Sequence, residues 1–427
     1  MKKLCFLLLF AALLPLISCG TGLAPSELTT ETDPTETQDK TMMTETKTET
    51  NNYPEVCDKL SYEKINSFPI ASADMTEDEL RALCVEFFAY CQSFAWTPSQ
   101  DYTYTIRSKN RDVTLKRGVV YGGLPYVTSG MGNIYRLMEH YDEETGVVDM
   151  KKAGVSAELF GNQCSFGSFW AWARVVNSAT FGGTNHLVAK NGFIPIGPYT
   201  YDQSIDQFGN PNTKEICEQN GSQIMFQSYA KLKPADGVVC SVGRGHVMMC
   251  ATVPVVVKNA DGSINGEESY FTYIHQASSW SDQKQSDGSP FRAQTVPYSK
   301  KSFAETFKEN YLPFTFGELL GKDPVEKSQT SFSHTKDTMS VAEMKEGMIS
   351  SNYAISHAII TVSDENGNRL WSQSVPAEKI NQKSFSLGTR LYPSELDKLA
   401  KENRTVTVTC QISTGEIATV YTGTLVS

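Results

Sequence analysis

The sequence lacks a second long apolar run. After residues 4–17, nothing approaches the roughly 18 consecutive apolar residues of a membrane-spanning helix, so the body of the chain is expected to be soluble. It also lacks Cys-x-x-Cys pairs. Ten cysteines are present, at 5, 19, 57, 84, 91, 164, 217, 240, 250 and 410, and their spacing offers no zinc site. Basic excess is missing too: the formal net charge is −10. No stripe of Lys or Arg faces phosphates, so no nucleic-acid partner is expected. No motif implies a metal or a cofactor.

What is present begins at the N-terminus. Lys2 and Lys3 precede Leu4 to Ile17, an apolar run of 14 residues. That is short of the roughly 20 needed to span a bilayer and has the form of a secretory signal. It ends in Leu16-Ile17-Ser18-Cys19, which resembles the lipobox of bacterial lipoproteins. The resemblance implies removal of residues 1–18, a diacylglycerol on Cys19, and an extracytoplasmic protein anchored to a bacterial membrane by its acyl chains. Residues 19–55 then read as a tether. They are rich in Thr, Glu, Asp and Pro, with eight acids against Lys40 and Lys47, and cannot bury enough apolar surface to offset ordering entropy. More than half of the net negative charge sits there, so the body is close to neutral.

The body divides by pattern into residues 56–325, a polar linker at 326–342, and residues 343–427. In the first part, "MTEDELRALCVEFFAYCQSF" predicts a helix. Thr76 and Glu79 fit a capping box, and Leu80, Leu83, Cys84, Phe87, Phe88 and Cys91 form an apolar face. Cys84 and Cys91 lie about 10 Å apart along that axis, too far to bridge each other. "RGVVYGGLPYVTSG" reads as a strand entering a Gly-Pro loop. Residues 164–176 read as a second helix, with Phe166, Phe169, Trp170 and Ala173 on its buried face. Residues 181–222, rich in Gly, Asn and Pro, read as an inserted excursion. Two strands around "GHVMMC" and a third, "ESYFTYIHQASS", follow. Helices before strands predict an α+β fold. Beyond the linker, alternating stretches broken by "ENGN" and "STGE" predict a small β-sandwich-like domain with one helix, "SELDKLAKE". His334 and His357 within it are read as surface or strand residues.

A thiol nucleophile needs help ionising, an imidazole to carry its proton, and a polar group to orient that imidazole. Cys164 stands at a predicted helix start, after Gly161-Asn162-Gln163. Unpaired first-turn N–H groups there favour a thiolate and are able to cradle an oxyanion. The other cysteines of the body lack that setting. His246 opens a strand after Gly245, and His275 lies on the next one. A tight turn at residues 259–262 would place the two directly opposite each other. A loop running to Gly266 would offset them by four positions. Either offset is even, so both histidines share a face. Gln276 is the alternative orienting group, although strand alternation turns it to the other face. His186, in a Gly-rich loop, is the rival base, and His140 reads as a surface residue.

The order of Cys at a helix start, "GHV" at a strand start and "YIHQAS" on the following strand resembles the NlpC-type cell-wall endopeptidases. These are a circularly rearranged branch of the papain-like fold. "GLPYVTSG" resembles the family's Gly-x-Pro-Tyr loop, and "KPADGVV" the Pro-Gly-Asp-Leu segment before its histidine. The likeness covers residues 118–280 in pieces. It implies Cys164 as nucleophile, His246 as general base and acid, and His275 as third member. It implies Tyr126 as a loop residue at the substrate or oxyanion, beside Gln163 and Ser165, which flank the thiol. The implied substrate is the stem peptide of peptidoglycan, cut between D-glutamate and a diamino acid. The chain departs from the family at Gln163, where an aspartate is usual, and in its longer gaps between motifs. The competing expectation is a non-catalytic surface binding or adhesion lipoprotein on a degenerate peptidase fold.

Overall fold

In a computed structural model, the described residues are 58–427 apart from 107–109, 129, 152–159, 179–182, 244, 278–297, 389–390, 392, 401 and 403. The expected signal peptide, the expected lipidation site at Cys19 and the expected tether to residue 55 lie outside them.

The first elements are α1 (Tyr62–Ser67), α2 (Glu77–Ser93), β1 (Ala95–Pro98), β2 (Tyr102–Ile106), β3 (Arg111–Leu115), β4 (Tyr121–Gly122), α3 (Ile134–Met138), β5 (Tyr141–Asp142) and β6 (Val147–Val148). Then come α4 (Cys164–Trp172), β7 (Phe193–Pro195), α5 (Asn212–Tyr229), β8 (Gly237–Cys240), β9 (His246–Cys250), β10 (Tyr270–Ile274), β11 (Ser299–Ser302), α6 (Phe303–Lys308) and β12 (Leu312–Phe316). The remainder comprises β13 (Thr330–Phe332), β14 (Thr338–Ser340), α7 (Val341–Glu346), β15 (Met348–Ser351), β16 (Ile355–Ser363), β17 (Arg369–Pro376), β18 (Ser384–Ser386), α8 (Pro393–Ala400), β19 (Thr405–Ile412) and β20 (Ile417–Val426). The chain is thus mixed α and β, built on several antiparallel sheets.

The central sheet has the order β11-β10-β9-β8-β12-β7, and every neighbouring pair in it is antiparallel. Helix α2 begins at a complete capping box between Thr76 and Glu79, which satisfies two otherwise orphaned donors. Its six predicted apolar positions are all buried. Helix α4 packs against α2 and β9. All nine of its residues are buried, rather than the single face expected, because it is enclosed by other elements on every side. Gly167 permits this: a Cβ there would lie 3.1 Å from Gln276 Cβ and 3.3 Å from the Phe88 ring. The helix ends at Trp172, four residues early. Val175 N–H turns back to the carbonyl of Trp172, tightening the last turn.

The stretch at 181–222 is not a separate excursion. Its Phe193–Pro195 segment pairs with β12 as the edge strand of the central sheet, and its end forms the first half of α5. Its turn residues were legible, but a three-residue strand gives too little periodicity to read.

Residues 326–342, expected as a linker, supply β13 and β14. The C-terminal strands form a three-stranded sheet, β13-β15-β18, and a five-stranded sheet, β14-β20-β19-β16-β17. Both contribute to a second hydrophobic cluster that includes Met339, Ile349, Ile360, Val408 and Leu425. The two cores nevertheless belong to one compact unit. Polar contacts join them: Ser413 Oγ donates to the carbonyl of Ala173 at 2.6 Å, and Ser356 Oγ to Asn133 Oδ1 at 3.1 Å. His357 is on a strand but is only 3% exposed, with Nδ1 3.2 Å from Glu139 Oε1. Among the described residues no helix is long and apolar enough to cross a membrane.

Candidate active site

Cys164 is the first residue of α4. Gln163, the preceding cap, is extended and makes no side-chain capping bond, so the amides of Cys164 and Ser165 stay uncapped, while that of Phe166 bonds the Gln163 carbonyl at 3.1 Å. The backbone N–H groups of Val247, Ser165 and Cys164 itself act on the sulfur. Helix α4 packs against β9, the strand that runs from His246 through Val247.

Two further segments fix this corner. The loop carrying Tyr126 is laced to the residues just before the cysteine. Val127 N–H donates to Asn162 O at 2.9 Å, and Asn162 N–H to Pro125 O at 3.1 Å. The half-buried Tyr126 is bridged to Asn162. Gln276 is fully buried, and its Nε2 donates to the carbonyls of Leu124 at 2.9 Å and Pro125 at 3.2 Å. It anchors the tyrosine loop and does not contact His246 among the hydrogen bonds described.

His246 opens β9 after a loop in which Gly243 and Gly245 have φ of +64° and +69°, a region that favours glycine. At Gly245 a Cβ would fall 2.3 Å from Thr184 Oγ1. The 183–222 stretch, including the short 3-10 turn Thr184–His186, thus abuts the approach to His246. His246 Nε2 and His275 Nδ1 are 2.8 Å apart. The rings are T-shaped with centroids 5.0 Å apart. Tyr273 stands edge-on to His275 at 5.0 Å, and Tyr311 to His246 at 6.5 Å. Sequence reasoning missed Tyr311, which approaches from the lead into β12 and carries no local signal.

Electrostatics corrects one expectation. The helix start was expected to favour a thiolate. Burial instead pushes the Cys164 thiol up to about 11, outweighing the three amides that lower it. Burial also pushes His246 down to about 4, with the charge of Lys301 acting the same way. Both groups are neutral near pH 7. No hydrogen bond joins the Cys164 sulfur to the His246 ring among those described.

With Nε2 of His246 committed to His275, Nδ1 is the ring nitrogen left for a thiol proton. To accept it, neutral His246 must carry its own proton on Nε2 and donate to His275 Nδ1. The pair is arranged to stabilise an imidazolium when one forms.

No family model matches the chain, and no curated protein matches it. Cys84, Cys91, Cys217, Cys240, Cys250 and Cys410 are likewise free and buried. None of these is the first residue of a helix, as Cys164 is.

Proposed function

We propose that the protein is a cysteine peptidase with a papain-like, NlpC-type catalytic region and a β-sandwich-like C-terminal region. It is anchored outside the cytoplasm of a bacterium through lipid on Cys19, and it hydrolyses an amide bond in peptidoglycan stem peptides, between D-glutamate and a diamino acid. The observation that carries the reading is the 2.8 Å contact of His246 Nε2 with His275 Nδ1, beside a helix-start thiol on α4, which packs against the strand that His246 opens.

In the reaction, His246 Nδ1 takes the proton from the Cys164 thiol as sulfur attacks the scissile carbonyl carbon. His275 stabilises the resulting imidazolium. The carbonyl oxygen gains negative charge, and the first-turn N–H groups of α4 receive it. The C–N bond then breaks. The Nδ1 proton goes to the leaving amine, and the acyl group stays on sulfur as a thioester. Water attacks the thioester carbon and gives a proton to His246 Nδ1; the C–S bond breaks, the carboxylic acid leaves, and the Nδ1 proton returns to the sulfur. Tyr126 and Gln163 contact the substrate on either side of the nucleophile, and Ser165 contributes its N–H.

The second reading, a surface binding protein on a degenerate peptidase scaffold, draws support from the missing thiol–ring hydrogen bond. One experiment separates them. Purified cell wall is digested with the full chain, and the soluble fragments are read by mass spectrometry. Stem-peptide fragments that disappear with a folded Cys164→Ala variant support the peptidase. Cell-wall binding without any fragments supports the alternative.

A further inference from the structure

Five polar atoms are stranded on side chains in and beside α4. Gln92 Oε1 and Nε2, Asn133 Nδ2, Asn162 Oδ1 and Trp170 Nε1 are buried and make no hydrogen bond among the described residues. The four side chains are 4% exposed or less, and they line a single small cavity. Its walls are otherwise apolar, with Phe87, Leu124 and Tyr135 among them. Buried polar groups are rarely left unpaired, because each has given up its hydration for nothing in return.

The cavity leaves about 10 Å³ for the centre of a water molecule, close to the space a single water needs. Its chemistry is matched as well. A water donates two hydrogen bonds and accepts two. Gln92 Oε1 and Asn162 Oδ1 are acceptors; Asn133 Nδ2 and Trp170 Nε1 are donors, with Gln92 Nε2 a further one. Three or more polar partners are typical of ordered internal water.

We propose that this cavity is a binding site for one internal water, which ties Asn162 to Gln92, Asn133 and Trp170 and so positions the turn that presents Cys164. Asn162 is two residues before the thiol, and its backbone holds the Tyr126 loop. Asn133 Oδ1 in turn accepts from Ser356 Oγ of the C-terminal sheet. A continuous polar chain therefore runs from β16 through Asn133 and the water to the nucleophile turn. Gln92 and Trp170 are positioning residues in this scheme. The water site stands apart from the proposed activity; only its effect on turnover rests on that reading.

The test uses the full chain labelled with ¹⁵N. The Trp170 indole proton, assigned from its loss in Trp170→Phe, is expected to show a through-space cross-peak to water with the sign of a long-lived bound molecule. Gln92→Leu should abolish the peak and Gln92→Glu, which keeps shape and acceptors, should retain it. Gln92→Leu should also lower kcat about tenfold with KM unchanged, the loss of roughly one buried hydrogen bond, and Gln92→Glu should restore most of it. Absence of the cross-peak in the unmodified chain overturns the proposal. So does a high-resolution crystal structure in which the four side chains pair directly. The crystallographic outcome needs no variant at all, and both outcomes hold even if no stem peptide is cleaved.

Discussion

His246 and His275 meet although they are not direct cross-strand partners. Ile274 pairs with Met249, so by continuation His275 falls opposite Met248, two positions along from His246. The ring nitrogens are still 2.8 Å apart. This offset lies between the two registers the sequence allowed and keeps the shared face of both. The contact is expected to matter in the step that makes an imidazolium. His275→Phe, which removes the acceptor, should lower kcat by roughly 10- to 100-fold, the worth of a hydrogen bond to a charged group. His275→Asn, which keeps an acceptor, should lose less. Steady-state kinetics on a stem-peptide amide would decide, and equal losses in both variants would remove His275 from the mechanism.

The acid side of the pH profile should lie low. Burial pushes His246 from 6.5 to about 4, so the base stays neutral well below the ordinary imidazole range. The expected acid limb of kcat/KM is near 4, and a limb near 6.5 would contradict it. Stability follows the same sign. Between 6.5 and about 4 the unfolded chain binds a proton that folded His246 refuses, so stability is present above 6.5 and is lost as pH falls through that window. Urea midpoints measured across it should show a shallower slope for His246→Gln.

The thiol makes a separate prediction. Burial raises Cys164 to about 11, so alkylation by iodoacetamide should be slow at pH 7 and should quicken steadily as pH rises. Fast labelling below pH 7 would mean that the sulfur carries a thiolate paired with imidazolium.

How much of this was legible depends on whether the signal was local. Helix α2 was, because Thr76, Glu79 and six apolar positions lie within one short window. The shared face of the two histidines was, because only parity was required. Their register was not. Val255 bridges Tyr270 and Lys258 bridges Ile264, two registers inside one connection, and no turn motif announces the change. Tyr311, Lys301 and Gln92 were invisible as site residues, since each arrives from a distant segment. The thiol's ionisation was misjudged because helix position can be read from a sequence, whereas desolvation depends on everything packed around the sulfur.

Gly167 should tolerate no side chain of size. A Cβ there would meet Gln276 Cβ at 3.1 Å and Asn162 Oδ1 at 3.3 Å, both in segments that hold the nucleophile turn. Gly167→Val should destabilise by about 1–3 kcal/mol through overpacking and should lower activity beyond what lost folded protein explains. Gly167→Ala gains up to about 1 kcal/mol of helix propensity against a smaller clash and should come out milder. Denaturant midpoints would rank the two.

The segment that leads into β8 offers the strongest stability test. The side chains of Arg81 and Asp236 are both 2% exposed, with Nη1 and Oδ1 2.7 Å apart. Arg81 also donates to the carbonyls of Pro234 and Leu319, and Asp236 Oδ2 accepts from Lys233 N–H. The pair joins α2 to the turn before the strand that leads to His246. Removing Asp236 leaves the buried Arg81 charge with only the partly exposed Glu77, whose Oε1 is 2.8 Å from Arg81 Nε, so Asp236→Ala is expected to cost about 3 kcal/mol, the low end for breaking a buried pair. Replacing both, as Arg81→Met with Asp236→Leu, removes the stranded charge and should recover much of that loss, although the carbonyls of Pro234 and Leu319 lose their donor. If the double variant is as unstable as the single one, the pair is needed for those carbonyl bonds rather than for its mutual charge. Arg81 is then the clasp that holds this corner of the fold.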